Sequence, residues 1–224
     1  MLECRNLSLI YKDGALENKV LHDVNIKVNK GENVVLLGPS GSGKSSLIYL
    51  LSGLKKPSSG SISYDGINFE QLKSKDSAKL RREKFGFVFQ MHFLIPYLKV
   101  LENIMTAAPS YDEKYIQRAK QLLKDLGLEK YTHKKINQLS GGERQRVAVI
   151  RALVAEPDIV FADEPTASLD HENAISILKM LKDYKENSTL IMATHDTSIL
   201  SGNERIIRVE NHGIKEVPSQ TPVA

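Results

Sequence analysis

Cys4 is the only cysteine in 224 residues. An internal disulfide is therefore impossible, and a reducing compartment is expected. No apolar run approaches the ~20 residues that a bilayer-spanning helix needs, so work at a membrane would require docking on a partner. The opening, Met1 to Tyr11, carries Glu3, Arg5 and Asn6 and lacks the apolar stretch of a secretory leader. Repeats at solenoid spacing, low-complexity tracts and long heptad runs are all missing. So are long single-sign charge runs. The net charge of +4 and the pI near 9.0 would suit nucleic acid or an anionic membrane surface, but acids and lysines are interspersed as on a solvated face. The chain is long enough for one substantial core or two small lobes, and Pro218 to Ala224 reads as a short frayed tail.

The hydrophobic pattern implies an α/β protein. Leu2–Tyr11 and Val20–Val28 alternate apolar and polar residues as half-buried strands do. Asn29-Lys30-Gly31 turns the chain into Val34-Val35-Leu36-Leu37, whose continuous apolarity suits a central parallel strand. A helix is expected from Lys44 to Ser52, stopped by Gly53. Gly60–Tyr64, Asp65-Gly66 and Ile67-Asn68-Phe69 read as a hairpin, and Phe85–Phe89 as a buried strand. Ser110 with Glu113 reads as a capping box. The helix it opens would bury Ile116, Ala119, Leu123 and Leu126 and end at Gly127. A second helix is expected from Ser140 to about Ala155. Then come the strand Ile159–Ala162, a helix from His171 to about Asn187, the strand Thr189–Ala193, and the strands Arg205–Glu210 and Ile214–Val217. Strands alternating with helices imply a mostly parallel sheet, with the early hairpins as an antiparallel flap on its edge. The whole, 1–224, reads as one unit: a core with flap at about 1–90 and 157–217, and a helical lobe inserted at about 91–156.

The chemistry concentrates at strand ends. Gly38-Pro39-Ser40-Gly41-Ser42-Gly43-Lys44-Ser45 fits the phosphate-loop pattern at every fixed position, after a buried strand and before a helix. Its glycines let backbone N–H groups turn inward around phosphate oxygens, and the helix N-terminus adds roughly half a positive charge. Lys44 should bridge the β- and γ-phosphates of a nucleotide, and the Ser45 hydroxyl should bind Mg²⁺. Ile159–Ala162 delivers Asp163-Glu164 at a strand's C-terminal end, where open α/β sheets bind ligands. Asp163 would hold Mg²⁺ directly or through water, and Glu164 could polarise the attacking water as a general base. Far along the chain, Leu139-Ser140-Gly141-Gly142-Glu143 puts a second glycine pair at a helix start, a second place where free N–H groups can hold an anion.

These motifs together resemble the ATP-binding-cassette (ABC) nucleotide-binding subunits over about Met1 to Val217. Leu139 to Glu143, followed by Arg144-Gln145-Arg146, matches that family's signature sequence. The resemblance implies a phosphate-loop NTPase core, ATP and Mg²⁺ as cofactors, and an ATP-dependent homodimer. In that dimer Ser140, Gly141 and Gly142 of one copy meet the γ-phosphate held by the other. It further implies that Gly38, Ser40, Gly41, Ser42, Gly43, Lys44, Ser45 and Ser46 contact the nucleotide. Gln90 would sense Mg²⁺ and the γ-phosphate, and His195 would be the switch histidine at that phosphate. Tyr11 would stack on adenine, where a base contributes about 1–3 kcal/mol, although a strand-end tyrosine can equally be a packing residue. Ser168-Leu169-Asp170 would cross the dimer seam, with Asp170 also able to cap the following helix. Glu143 stands where relatives often have glutamine and Ser46 where many have threonine; neither departure removes a needed donor or metal ligand.

The region Gln90 to Asn103 and the long approach from Tyr11 to Val20 are similar to the lipoprotein-release and macrolide-export branch. That likeness implies an ATPase peripheral on the cytoplasmic face of a membrane. It would touch the membrane only through integral permease subunits, with no nucleic acid involved. Phe93, Leu94, Tyr97 and Leu98 form an apolar cluster that is either a socket for the permease or ordinary core. Two other readings stay open from sequence. One is an ATP-gated regulator of a cell-wall or signalling partner. The other is the nucleic-acid work of repair and translation cassettes, against which the single cassette and missing coiled coil argue.

Overall fold

Asn33–Leu37 forms the strand around which the molecule is arranged, and all but its first residue are buried. The computed structural model describes residues 1–14, 16–167, 169–184 and 188–217. The elements in chain order are β1 (Leu2–Asp13), β2 (Leu16–Val28), β3 (Asn33–Leu37), α1 (Lys44–Leu51), β4 (Ser59–Tyr64), β5 (Ile67–Asn68), α2 (Ser74–Lys84) and β6 (Phe85–Val88). They continue with α3 (Val100–Met105), α4 (Glu113–Asp125), α5 (Gly141–Leu153), β7 (Ile159–Asp163), α6 (His171–Asp183), β8 (Thr189–Ala193), β9 (Arg205–Glu210) and β10 (Gly213–Val217). The main sheet runs β10-β9-β3-β8-β7-β6. Every pairing in it is parallel except β9 with β10. β3, β6, β7 and β8 therefore all end at one edge, and their following loops start there.

Side chains alternate across this sheet, as the two-residue strand period requires. Val34, Leu36, Ile159, Phe161, Ile191 and Ala193 share a cluster with α1 and strands β1 and β2. Val35, Leu37, Val160, Ala162, Leu190 and Met192 share the opposite cluster with α3, α4, α5 and α6. The helical segment 91–156 thus packs into the same apolar cluster as one sheet face. α1 lies between the two sheets, touching β1 on one side and β7 and β8 on the other. No helix among the described residues is long and apolar enough to cross a membrane.

Several boundaries differ from expectation, each for a visible reason. The flap is a separate antiparallel sheet, β2-β1-β4-β5, facing the main sheet across α1 instead of extending its edge. β2 starts at Leu16, since the Tyr11-to-Val20 approach closes the β1–β2 hairpin. The Ser110–Glu113 capping box does not form. Ser110 Oγ bonds the Asp112 carboxylate, and the helix opens at Glu113, whose side chain instead accepts from Gln117 one turn on. α2 has no fully buried residue and no apolar stripe to announce it. The expected face of α4 is in place: Ala119 and Leu123 are buried, Ile116 and Leu126 pack against the cluster, and Gly127 turns the chain at φ 67°. α6 ends at Asp183, and the expected extension to Asn187, like the tail from Pro218, lies outside the described residues.

The loop that follows β8 is pinned at its far end by a buried ion pair. Glu204 accepts from Lys182 of α6 and from the Ser201 hydroxyl and amide. Burial alone would raise the Glu204 carboxyl, but these hydrogen bonds hold it down at about 2. A carboxyl depressed on folding adds stability that is complete above its unfolded value of 4.5 and lost as pH falls towards about 2. Glu204→Gln should therefore cost about 3 kcal/mol in urea denaturation at pH 7. The gap to the wild type should close between pH 4.5 and 2; a pH-independent gap would contradict the ion pair's role.

Candidate functional site

The loop after β3 requires glycine at two places for different reasons. A Cβ at Gly38 would meet Val209 O at 2.3 Å, so β9 packs directly against the loop backbone. Gly43 takes φ 103° immediately before α1, a conformation that L side chains rarely adopt. Between them the chain curls around Lys44, which is buried and donates from Nζ to the carbonyls of Gly38 at 2.7 Å and Pro39 at 3.0 Å. The Ser42 hydroxyl is buried in the same cradle with no partner. An orphaned donor beside a buried ammonium and the free N–H groups of a helix start fits an anion with several oxygens.

Helix and sheet chemistry meet at Asp163. The Ser45 hydroxyl donates to its Oδ1 at 2.9 Å, and the Tyr49 hydroxyl to its Oδ2 at 3.3 Å. Burial pushes the Asp163 carboxyl above its usual range against the pull of these two hydroxyls, and the adjacent Glu164 adds to the rise. A cation beside it would favour the charged form. Among the described residues no group of three or more His, Cys, Asp or Glu could hold a metal alone. One hydroxyl and one carboxylate are the sparse, hard-oxygen set that suits Mg²⁺ shared with phosphates and water.

Glu164 leaves β7 at φ 48°, a strained backbone for a side-chain-bearing residue. Its N–H still donates to Ala193 O of β8 at 2.9 Å. That turn aims its carboxylate at His195, whose Nδ1 lies 3.0 Å from Oε1. Glu164 is largely covered whereas His195 is open to solvent. Lys44, Ser45, Asp163, Glu164 and His195 are thus linked through three adjacent strands.

The other expected residues stand apart. Gln90 lies just beyond β6, exposed, with no side-chain partner among the described residues. Tyr11 is half-exposed, with the Lys55 ammonium on its hydroxyl and 4.0 Å from its ring centroid. Ser46 is half-buried on α1. Ser40 and Gly41 form the exposed crest of the loop. Asp170 caps α6 by accepting from the Asn173 amide at 2.9 Å, a bond that holds its carboxyl below the usual range. Ser168 lies outside the described residues. Of the apolar cluster after Gln90, Leu94 packs into the core while Phe93 and Tyr97 stand in solvent.

The start of α5 is a formed capping box. Ser140 Oγ accepts from Glu143 N at 3.3 Å, and the Glu143 carboxylate accepts from Ser140 N at 2.7 Å. Of the four amides a helix start leaves open, these bonds use the outer and inner ones. The pair left free belongs to Gly141 and Gly142. A Cβ at Gly141 would meet no described atom within 4 Å, so no contact among the described residues requires glycine there. Among the described residues no hydrogen bond joins this helix tip to the Gly38–Ser45 loop.

Four supporting residues, Gln145, Arg146, Arg151 and Tyr49, had no individual role assigned from sequence. Gln145, buried on α5, donates to Pro165 O at 2.6 Å, and its neighbour Arg146 donates to Asn173 at 2.8 Å. They fasten α5 to the loop that follows Asp163-Glu164. Arg151 donates to the carbonyls of His92 and Phe93, both at 2.7 Å, and so holds the segment after Gln90. Tyr49 had a usable signal, since four residues from Ser45 is one helical turn along the same face. Gln145 stands in the stretch that follows the signature, which gave no sign of its tie to Pro165, and Arg151 had no signal, because polar residues on a helix ordinarily read as solvated.

A family model described as ABC transporter matches residues 21–167. The lipoprotein-releasing system ATP-binding protein LolD of Buchnera aphidicola subsp. Schizaphis graminum is 41% identical over 218 residues, 94% of either chain. Two solved structures are similar over 99% of this chain and 100% of theirs. One is the dimeric bacterial ABC transporter cassette MJ0796, with TM-score 0.90 and 35% identity. The other is its dimeric post-hydrolysis state bound to ADP and Pi, with TM-score 0.89 and 36% identity.

Gln145→Leu tests the fastening of α5. It keeps the bulk and strands the Pro165 carbonyl, so stability should fall by about 1–3 kcal/mol in thermal or urea denaturation. An unchanged midpoint would show that the buried amide carries no strain-relieving bond.

Proposed function

The chain belongs to the ABC transporter family and is an ATP-binding and ATP-hydrolysing subunit, and from that premise we propose the roles of its residues and its place in a membrane complex. Two copies close around two ATP molecules, each nucleotide lying between the Gly38–Ser45 loop of one copy and the Ser140–Gly142 tip of the other. The observation that carries this reading is the α5 tip, whose box leaves the amides of the exposed Gly141 and the half-buried Gly142 without a hydrogen-bond partner among the described residues. The complex drives an integral permease, as a peripheral unit on its cytoplasmic face. The likeness to LolD across 94% of both chains supports lipoprotein release as the work done. The exposed Met91, Phe93 and Tyr97 beside Gln90 support docking of the permease there.

Within the closed site, Lys44 exchanges the two loop carbonyls it now binds for β- and γ-phosphate oxygens. Ser40 to Ser46 surround the phosphates with backbone N–H groups and hydroxyls, and Tyr11 stacks on the base. Mg²⁺, when bound, neutralises charge on the β- and γ-phosphates. Ser45, Asp163 and Gln90 would hold it. Glu164 accepts a proton from the water that attacks the γ-phosphorus, as the bond to the bridging oxygen breaks and ADP departs. His195, oriented through its Nδ1 contact with Glu164, presents Nε2 to the γ-phosphate. Ser140 keeps its hydroxyl proton for the same phosphate, because its oxygen only accepts in the capping box. Asp170 lies at the seam.

Replacing the base tests the assignment. Glu164→Gln should lower ATP turnover by ~10²–10⁴ while leaving ATP affinity near that of the wild type. Wild-type turnover in phosphate-release assays of the variant would remove Glu164 from the chemistry.

A further inference from the structure

Tyr49 has no part in the roles assigned so far, yet it holds one of the two oxygens of Asp163. Ser45 and Tyr49 stand one turn apart on α1, and each donates a hydroxyl to a different carboxylate oxygen, Oδ1 at 2.9 Å and Oδ2 at 3.3 Å. The Tyr49 ring is itself held. It lies 6.2 Å from Phe89, which stacks on Phe87 at 5.7 Å, which in turn stacks on Phe161 at 5.8 Å. Phe161 is two residues before Asp163 on β7, so the aromatic set returns to the strand that carries the carboxylate. A ring packed this way can aim its hydroxyl at only a narrow arc.

We propose that Tyr49 is a positioning residue that sets the Mg²⁺ affinity of the site by fixing the rotation of the Asp163 carboxylate. The inference rests on the reading of Asp163 as the metal-side carboxylate. When Ser45 turns its oxygen to a cation, Oδ1 loses its hydrogen bond. Tyr49 stays on Oδ2 and keeps Oδ1 facing the metal side. Without the phenol hydroxyl, Oδ2 has no partner and the buried carboxylate is free to rotate. Partners that orient a metal ligand in this manner commonly change metal affinity by 10–100-fold when removed.

Tyr49→Phe retains the ring and its packing and deletes only the hydroxyl. Three quantities are measured on the full chain: Mn²⁺ binding in the presence of ADP by electron paramagnetic resonance, ATP affinity in EDTA, and the Mg²⁺ concentration giving half-maximal ATP hydrolysis. Both metal constants should weaken by about 10-fold with metal-free ATP affinity unchanged. Wild-type metal affinity in Tyr49→Phe overturns the proposal. So does a parallel loss of metal-free ATP affinity, which a merely structural role would produce. Asp163→Asn separates the two layers. If it binds Mn²⁺ as the wild type does, the reading of Asp163 is wrong. If it loses Mn²⁺ while Tyr49→Phe does not, only the Tyr49 proposal fails.

Discussion

The 2.9 Å hydrogen bond between Ser45 and Asp163 joins groups 118 residues apart in sequence, and the rest of the site is organised around it. It can form only if the N-terminus of α1 and the C-terminal end of β7 meet at one edge of the sheet. That in turn needs β3, β8 and β7 to be adjacent, parallel and in register. The observed pairings supply this: Leu36 lies beside Ala193, and Ala193 beside Asp163. The apolar alternation of the three strands fixes the register, because a slip of one residue would exchange the residues packed on α1 for those packed on the helical side.

The same geometry accounts for charge. A bound triphosphate concentrates negative charge that one helix N-terminus, with roughly half a positive charge, does not balance. Lys44 lies in the cradle, bound to carbonyls that phosphate oxygens can replace. Further donors are the amides of Gly141 and Gly142, which the capping box leaves unpaired and which, among the described residues, make no hydrogen bond to this chain's own phosphate loop. Their lack of a partner among the described residues gives the proposed pairing of two copies a physical reason: each chain would bring one incomplete site and one set of donors to complete another.

Much of this was legible in the sequence where local chemistry dictates structure. Gly43 must be glycine because the backbone turns at φ 103°, and the four-residue run from Val34 is apolar because both sheet faces are covered. The Ser140–Glu143 spacing forms its capping box. The same pattern at Ser110 and Glu113 does not, since Asp112 competes for the serine hydroxyl and the box has no means of excluding it. α2 was invisible because it has no buried stripe: Leu80 alone packs against the core, and Arg81 and Arg82 tie the helix to the Gly53 and Ala108 carbonyls. Gln145 acts through a partner 20 residues away, so no short window of sequence contains its reason; the spacing of Tyr49 from Ser45 was visible, but its partner 114 residues away was not. The Glu164 turn was equally hidden, since a left-handed backbone at glutamate is imposed by β8 holding its amide.

In the proposed dimer the exposed tip of α5 completes a site on a second copy of the chain. Gly141 offers the most direct test, because a Cβ added there meets no described atom within 4 Å. Sedimentation in ATP and Mg²⁺ would compare Glu164→Gln with the double variant Glu164→Gln, Gly141→Phe. The first should sediment as a dimer and the second as a folded, ATP-bound monomer. A double variant that dimerises as readily as the single one would contradict this arrangement.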